Sequence, residues 1–347
     1  MSATASLATE STGQFALGRL DRCRRPTPHR SRHRDGAVPA KEWHHVVVHH
    51  PDASILLNLS ESVEADGRSI VRAVVMVHHA GGWVSESLTA EAGEATINPL
   101  TLDLRIGNRA RLRWADGRYE VRLDCARLRL DLSLTPISGP QLLSGGVLSN
   151  DERISWLIVP RLLATGSLHC DDVAVELFEA PSYHDHNWGH FAWGGDFGWE
   201  WASGTAADWS FTASRLLDRT RTRVSAQYLH VEDDTTSATF RDAEITVEHI
   251  GRLGPVVAPV VPGVMRLVTP VSLEDIPQVM IWRARRRDQA VEITVTPTSV
   301  ARLVIPSDVD ATRVVVLAEV FADVHLEATL GDHRRTSSGP GILELLR

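Results

Sequence analysis

Pro181-Ser-Tyr-His-Asp-His-Asn-Trp-Gly-His190, continuing as Phe-Ala-Trp-Gly-Gly-Asp-Phe-Gly-Trp-Glu-Trp201, gathers most of the chemistry this chain advertises. Four of the ten tryptophans lie between Trp188 and Trp201, and Trp209 follows closely. The same stretch holds Tyr183, His184, Asp185, His186, His190, Asp196 and Glu200. Proton-transfer groups among large rings point to a dry, shaped cavity with a few polar groups. Read as extended chain, Tyr183 to Asn187 alternates. Tyr183, Asp185 and Asn187 then share one face, and His184, His186 and Trp188 the other. A carboxyl beside apolar rings has its charged form disfavoured, so it can stay protonated near neutral pH and act as an acid. The competing reading is a buried Trp-Gly strand whose histidines are satisfied core groups.

Outward from this stretch the chain reads as strands. Val46–Val48, Ser54–Leu59, Ile70–Val77, Arg109–Trp114, Arg118–Leu123 and Ala126–Leu134 precede it, the last alternating as Leu128, Leu130, Leu132 and Leu134. Val173–Phe178 leads in. Phe197–Ser203, Arg223–Val231, Ala243–His249, Val264–Val268, Val279–Arg285, Ala290–Val295 and a two-piece Val314–Leu330 follow. Ala65-Asp-Gly67, Gly81-Gly82 and Ala115-Asp-Gly117 are turn signals between them. Hardly any helical period appears, so the expected fold is antiparallel all-β, sandwich or barrel. Pro136 to Pro160 breaks the rhythm with Gly, Pro and Ser and reads largely as loop, with a buried strand at Ile154–Leu163. Val256–Pro262 is too proline-rich for a central strand.

The 347 residues allow two domains, and 43% hydrophobic content allows a sizeable core. A net charge of −8 argues against a nucleic-acid partner. No apolar run reaches transmembrane length, and the first residues lack a signal-peptide core. Cys23, Cys125 and Cys170 are few and scattered, which fits a reduced, cytoplasmic protein without a disulfide framework. Arg19 to Arg34 carries seven arginines and reads, with the polar residues before it, as a solvated basic arm over 1–39.

His184-x-His186 puts two imidazoles on one face, as some metal sites do, but the sequence identifies no third ligand. His190, His44-His45, His49-His50 or His78-His79 could each supply one and nothing selects among them, so no metal is expected. His49, His50, His78 and His79 are read as surface histidines. No nucleophile elbow, phosphate-binding loop or dinucleotide fingerprint occurs, which disfavours serine hydrolysis, phosphoryl transfer and nicotinamide chemistry.

At Tyr183-His-Asp-His-Asn-Trp-Gly189 the sequence resembles the two-domain lipocalin-like (calycin) proteins. These include carotenoid 1,2-hydratases (hydroxyneurosporene synthases), kievitone hydratase-like proteins, AttH-like proteins and natural-product Diels-Alderases. Glu42-Trp43, Leu163-Ala-Thr-Gly-Ser-Leu168 and Gly339-Pro-Gly-Ile-Leu-Glu344 also fit, over residues 40–347 in all. His44-His45 departs from the aromatics common after Trp43 in that family. The resemblance implies two packed antiparallel barrels, here residues 40–178 and 179–347, the second carrying the motif. It also implies a hydrophobic small-molecule ligand and no cofactor, with no stable membrane insertion. It leaves the oligomeric state open.

Three functions follow from it. In a hydratase or cyclase, Asp185 or Asp196 protonates an alkene, and Trp188, Trp193, Trp199 and Trp201 surround the cation. Tyr183, His184 and His186 position the acid or water and take back the proton. In a pericyclase the same walls fold a polyene into a reactive conformer, with Tyr183 or His186 polarising a carbonyl. The third is a non-catalytic lipid or pigment carrier. The expected pocket has Tyr183, Asp185 and His186 at its polar end, the tryptophans as walls, Asn187 among the substrate contacts, and Trp43 and His45 opposite.

Overall fold

The computed structural model describes residues 17–24, 29–30, 37–64, 66–91, 93–98, 100–149, 152–206, 208–254, 259–260 and 275–346. Among these, helix is limited to Leu17–Leu20 and a 3-10 turn at Asp242–Glu244. The strands named below pair antiparallel, and the chain divides into two compact units, Met1–Gly195 and Asp196–Arg347. The all-β, two-barrel expectation holds.

The first unit is a nearly closed sheet of twelve strands. Its order runs Gly82–Glu91, Ser69–His79, Ser54–Val63, Ala40–Val48, Val173–His190, Glu152–Cys170, Leu128–Pro136, Arg118–Asp124, Ala110–Ala115, Asp103–Ile106 and Ala95–Ile97. Gln141–Ser149 pairs separately with the start of Glu152–Cys170. Alternation decides what each strand buries: Leu128, Leu130, Leu132 and Leu134 all point into one apolar interior with Val46, Val48, Leu157 and Val159. The hairpin at Asp116-Gly117 turns with both residues at positive φ, 52° and 78°, the geometry that Asp-Gly favours.

The second unit has nine strands. They run Ser237–Arg241, Val224–Asp233, Trp209–Leu217, Gly198–Thr205, His333–Leu346, Val314–Leu330, Gln289–Pro306, Val279–Arg286 and Ile245–Ile250. Its interior is built on Trp209, Phe211, Phe240, Trp282 and Leu343.

Several expectations need correction. The division falls after Gly195, not at 178/179, so the motif belongs to the first unit. The strand Val173–His190 pairs on one side with Glu152–Cys170 and on the other with Ala40–Val48. The second of these pairings spans well over a hundred residues of sequence, which local patterning does not register. Pro136 to Pro160 is mostly strand, its Gly145 and Gly146 absorbed at a register shift between Leu143 and Gly146. Val314–Leu330 is one continuous strand.

The basic arm is not simply solvated. Leu17 and Cys23 belong to the first unit's core, and Asp21 is fully buried. Residues 1–16, 25–28 and 31–36 of that arm, with Val264–Val268 and most of Val256–Pro262, lie outside the described residues. His49 is buried rather than at the surface, and His50, His78 and His79 are half-buried. No helix among the described residues is long and apolar enough to cross a membrane.

Candidate functional site

The strand Val173–His190 separates two polar clusters, one on each face. Its register sets Asp185 against His45, His186 against His44 and Asn187 against Trp43. On the other side Asp185 meets Ile158, and Asn187 meets Trp156. Paired residues share a face, so Tyr183, Asp185, Asn187, Trp43, His45 and Trp156 lie together on the face turned away from the barrel interior. Gly189 permits the close pairing at the strand's end: a Cβ there would sit 2.1 Å from the Arg153 carbonyl oxygen.

On this outward face Asp185 is buried. The Tyr183 hydroxyl bonds its Oδ2 at 2.8 Å, and the Asn187 amide donates to its Oδ1 at 2.6 Å. Burial pushes the Asp185 carboxyl up to about 7, against the opposing pull of Tyr183, Trp156, His186 and Asn187. Nearby, Trp43, Phe191 and Trp193 form an aromatic group, with ring centroids 5.1–6.4 Å apart. The Lys41 ammonium lies 5.7 Å from the Trp193 ring centre.

On the interior face a second cluster centres on Asp21, which arrives from the segment after the Leu17–Leu20 helix. Its Oδ2 lies 2.8 Å from His184 Nε2 and accepts the Tyr119 hydroxyl at 2.6 Å. Its Oδ1 lies 2.8 Å from His186 Nδ1 and 3.7 Å from His44 Nδ1. His186 Nε2 meets Glu42 Oε1 at 2.8 Å, and the Arg24 backbone N–H donates to the same oxygen at 2.6 Å. His184 Nδ1 donates to the His45 carbonyl at 3.0 Å.

Burial works against charge on Asp21, yet His184 and His186 hold its carboxyl well below the usual range. Burial also opposes charge on His186, but the Asp21 and Glu42 carboxylates raise it to about 9. His44 is kept neutral, first by burial and then by His186. Trp188 is on this face too, 4.8 Å from the His186 ring and under the Arg24 guanidinium at 4.5 Å.

The structure therefore brings Tyr183, Asp185, Asn187, Trp43 and His45 to one face and sends His184, His186 and Trp188 to the other. Asp196, Trp199 and Trp201 belong to the second unit. Asp196 is exposed and accepts the Arg219 backbone N–H at 3.3 Å. Trp199 and Trp201 are buried but point away from that unit's core. Their neighbour Ala202 points inward, and the Trp199 indole donates to Glu344. Glu200 also faces inward, paired with Arg215 at 2.9 Å and His249 at 3.3 Å.

Sequence reading missed Asp21, Glu42, Tyr119 and Trp156 as members of these clusters. Glu42 was within reach, since it alternates with His44 two residues on. Asp21, in an arginine-rich run, carried no signal.

No family model matches the sequence, and neither does any curated protein. Solved structures do. A candidate AttH from Nitrosomonas europaea superposes with a TM-score of 0.64 at 14% identity, over 89% of this chain and 92% of that one. CghA with Sch210972 gives 0.60 at 12% identity, over 98% of both chains. Kievitone hydratase from Nectria haematococca gives 0.56 at 11% identity, over 88% of both. The chain has the two-barrel, lipocalin-like fold of the AttH-like proteins.

Proposed function

We propose that the chain is an enzyme acting on a hydrophobic, alkene-bearing small molecule of terpenoid or polyketide type, with Asp185 as its general acid. The observation that carries this is a buried carboxyl held by two neutral donors, Tyr183 and Asn187, among aromatic rings. Such a group keeps its proton near neutral pH and gives it up to a weak base only when the base is pressed against it. Shared fold with a structure named as a hydratase is consistent with this chemistry.

In the hydration reading, the Asp185 O–H bond breaks and a new C–H bond forms on one alkene carbon, leaving a cation on the other. Water adds to that cation through oxygen, and the proton it sheds returns to the Asp185 carboxylate. The Tyr183 hydroxyl accepts a hydrogen bond while the carboxyl is protonated and donates one once it is not. Trp43 and Trp193 offer ring faces to the positive charge. Cyclisation differs only in that a second alkene captures the cation. Asp196, exposed and in the other unit, is the weaker choice of acid.

A pericyclase reading has one observation in its favour: Tyr183 and Asn187 could each donate to a substrate carbonyl and so activate a dienophile. A panel of acyclic isoprenoid and linear polyketide polyenes in H2-18-O water separates the readings. Hydration incorporates the label into product, whereas cyclisation or cycloaddition yields an unlabelled isomer. Replacing Asp185 by Asn lowers the acid-catalysed reactions by about 10²–10⁴-fold and slows a cycloaddition far less. Substrate binding without any conversion, unchanged in Asp185→Asn, makes the chain a carrier and sinks the enzymatic proposal.

A further inference from the structure

The interior cluster has a feature that hydrogen bonding within the protein does not satisfy. Asp21 Oδ1, His44 Nδ1 and His186 Nδ1 are all buried, and none meets hydrogen-bond geometry with any partner. The 2.8 Å approach of Asp21 Oδ1 to His186 Nδ1 is an ion-pair distance off the hydrogen-bond line. His184 Nδ1 faces the His45 carbonyl, and its Nε2 lies 2.8 Å from Asp21 Oδ2, so the ring is turned edge-on toward the carboxylate. A proton or a metal cation can bridge that contact.

We infer that Asp21, His44 and His184 form a buried site for a divalent first-row transition-metal ion, with Zn2+ the first choice for this donor set. One donor atom from each of the three lies within 4.8 Å of the other two. Metal bonds of about 2.0–2.2 Å separate adjacent ligand atoms by about 3.0–3.5 Å. The two oxygens of the Asp21 carboxylate face one imidazole each, Oδ2 at 2.8 Å from His184 Nε2 and Oδ1 at 3.7 Å from His44 Nδ1, on either side of that range. The His44 and His184 ring centres are 5.8 Å apart. His186, stacked 4.0 Å from His44, lies outside this trio and approaches Asp21 Oδ1 at 2.8 Å.

An outer shell of the kind that orients metal ligands is present. The His45 carbonyl holds His184 Nδ1. Cys23 Sγ lies 4.0 Å from His44 Nε2. Tyr119 and His186, the latter anchored on Glu42, hold Asp21. The ion would tie the 17–24 segment to the strands Ala40–Val48 and Val173–His190, a structural role on the face opposite Asp185. It takes no part in the chemistry proposed above, and its test reads binding rather than turnover.

The test uses the full chain, unfolded in denaturant with chelator and refolded with or without Zn2+, so that burial does not block entry. After gel filtration, the wild type should retain about one equivalent of zinc per chain. Its melting temperature should exceed that of the metal-free sample. Asp21→Asn and His44→Gln should each lose the equivalent. Natively folded wild type holding less than about a tenth of an equivalent overturns the site. So does a folded Asp21→Asn variant that keeps the full equivalent, because the ion then sits elsewhere. Should both variants fail to fold, Co2+ in the wild type decides. Intense visible bands of a nitrogen–oxygen site of low coordination number support the inference, and the faint spectrum of hydrated cobalt overturns it.

Discussion

Asp185 and His186 are neighbours in sequence with opposite tasks, because adjacent residues of a strand face opposite environments. Asp185 meets only neutral donors and is pushed up to about 7 by burial; His186 lies between two carboxylates and is raised to about 9. If the protonated carboxyl is the catalyst, turnover of chelator-treated enzyme falls as pH rises through about 7. Asp185→Asn should lower turnover by about 10²–10⁴-fold while the far-UV circular dichroism stays unchanged. A flat profile between pH 6 and 8 would remove Asp185 from the acid's role.

His49 allows a separate test of burial. Burial lowers its pKa from 6.5 to about 4, so the folded state binds fewer protons than the unfolded chain between those values. Its contribution is therefore present above pH 6.5 and lost as pH falls toward 4, by at most about 3 kcal/mol. Urea midpoints measured from pH 7 to 4 should drop less steeply in His49→Gln than in the wild type.

Among the strands, the long hairpin of Glu152–Cys170 and Val173–His190 carries the motif, and its register decides which groups meet. Glycine is needed where this hairpin's neighbours crowd it. At Gly189 an added Cβ would strike the Arg153 carbonyl, a backbone atom that no rotamer change can move. Gly189→Ala should cost at least about 1–3 kcal/mol and disturb the Asn187–Trp188 end of the site. Gly117→Ala is a contrasting case, with open space around its Cβ and strain only from a φ of 78°. Its cost should be about 1–2 kcal/mol, confined to the turn. Equal unfolding free energies for the two variants would contradict the close-packing account.

At the level of the whole chain, the amino-terminal segment is part of the first unit rather than an appendage. Leu17, Asp21 and Cys23 are buried, so a chain begun at residue 25 should lose stability and expose apolar surface to a hydrophobic dye. Leu17→Ala alone should cost about 2–5 kcal/mol in denaturant titrations. Undiminished stability on deletion would return the segment to the status of a solvated arm.

The sequence by itself determined what is local. Alternation at Leu128–Leu134 and the Asp-Gly turn at 116–117 declared an antiparallel β-fold, sandwich or barrel, because strand periodicity and positive φ are written in neighbouring residues; the motif's family resemblance chose the barrels. The same rule placed Tyr183, Asp185 and Asn187 together and apart from His184 and His186. Tertiary structure alone decided that the motif strand pairs with Ala40–Val48, that the unit boundary follows Gly195, and that Asp21 lies among His44, His184 and His186. Those facts rest on contacts across up to 165 residues of chain, from Asp21 to His186. There an aspartate gains its meaning from what folding packs around it, and its sequence neighbours carry no trace of that company.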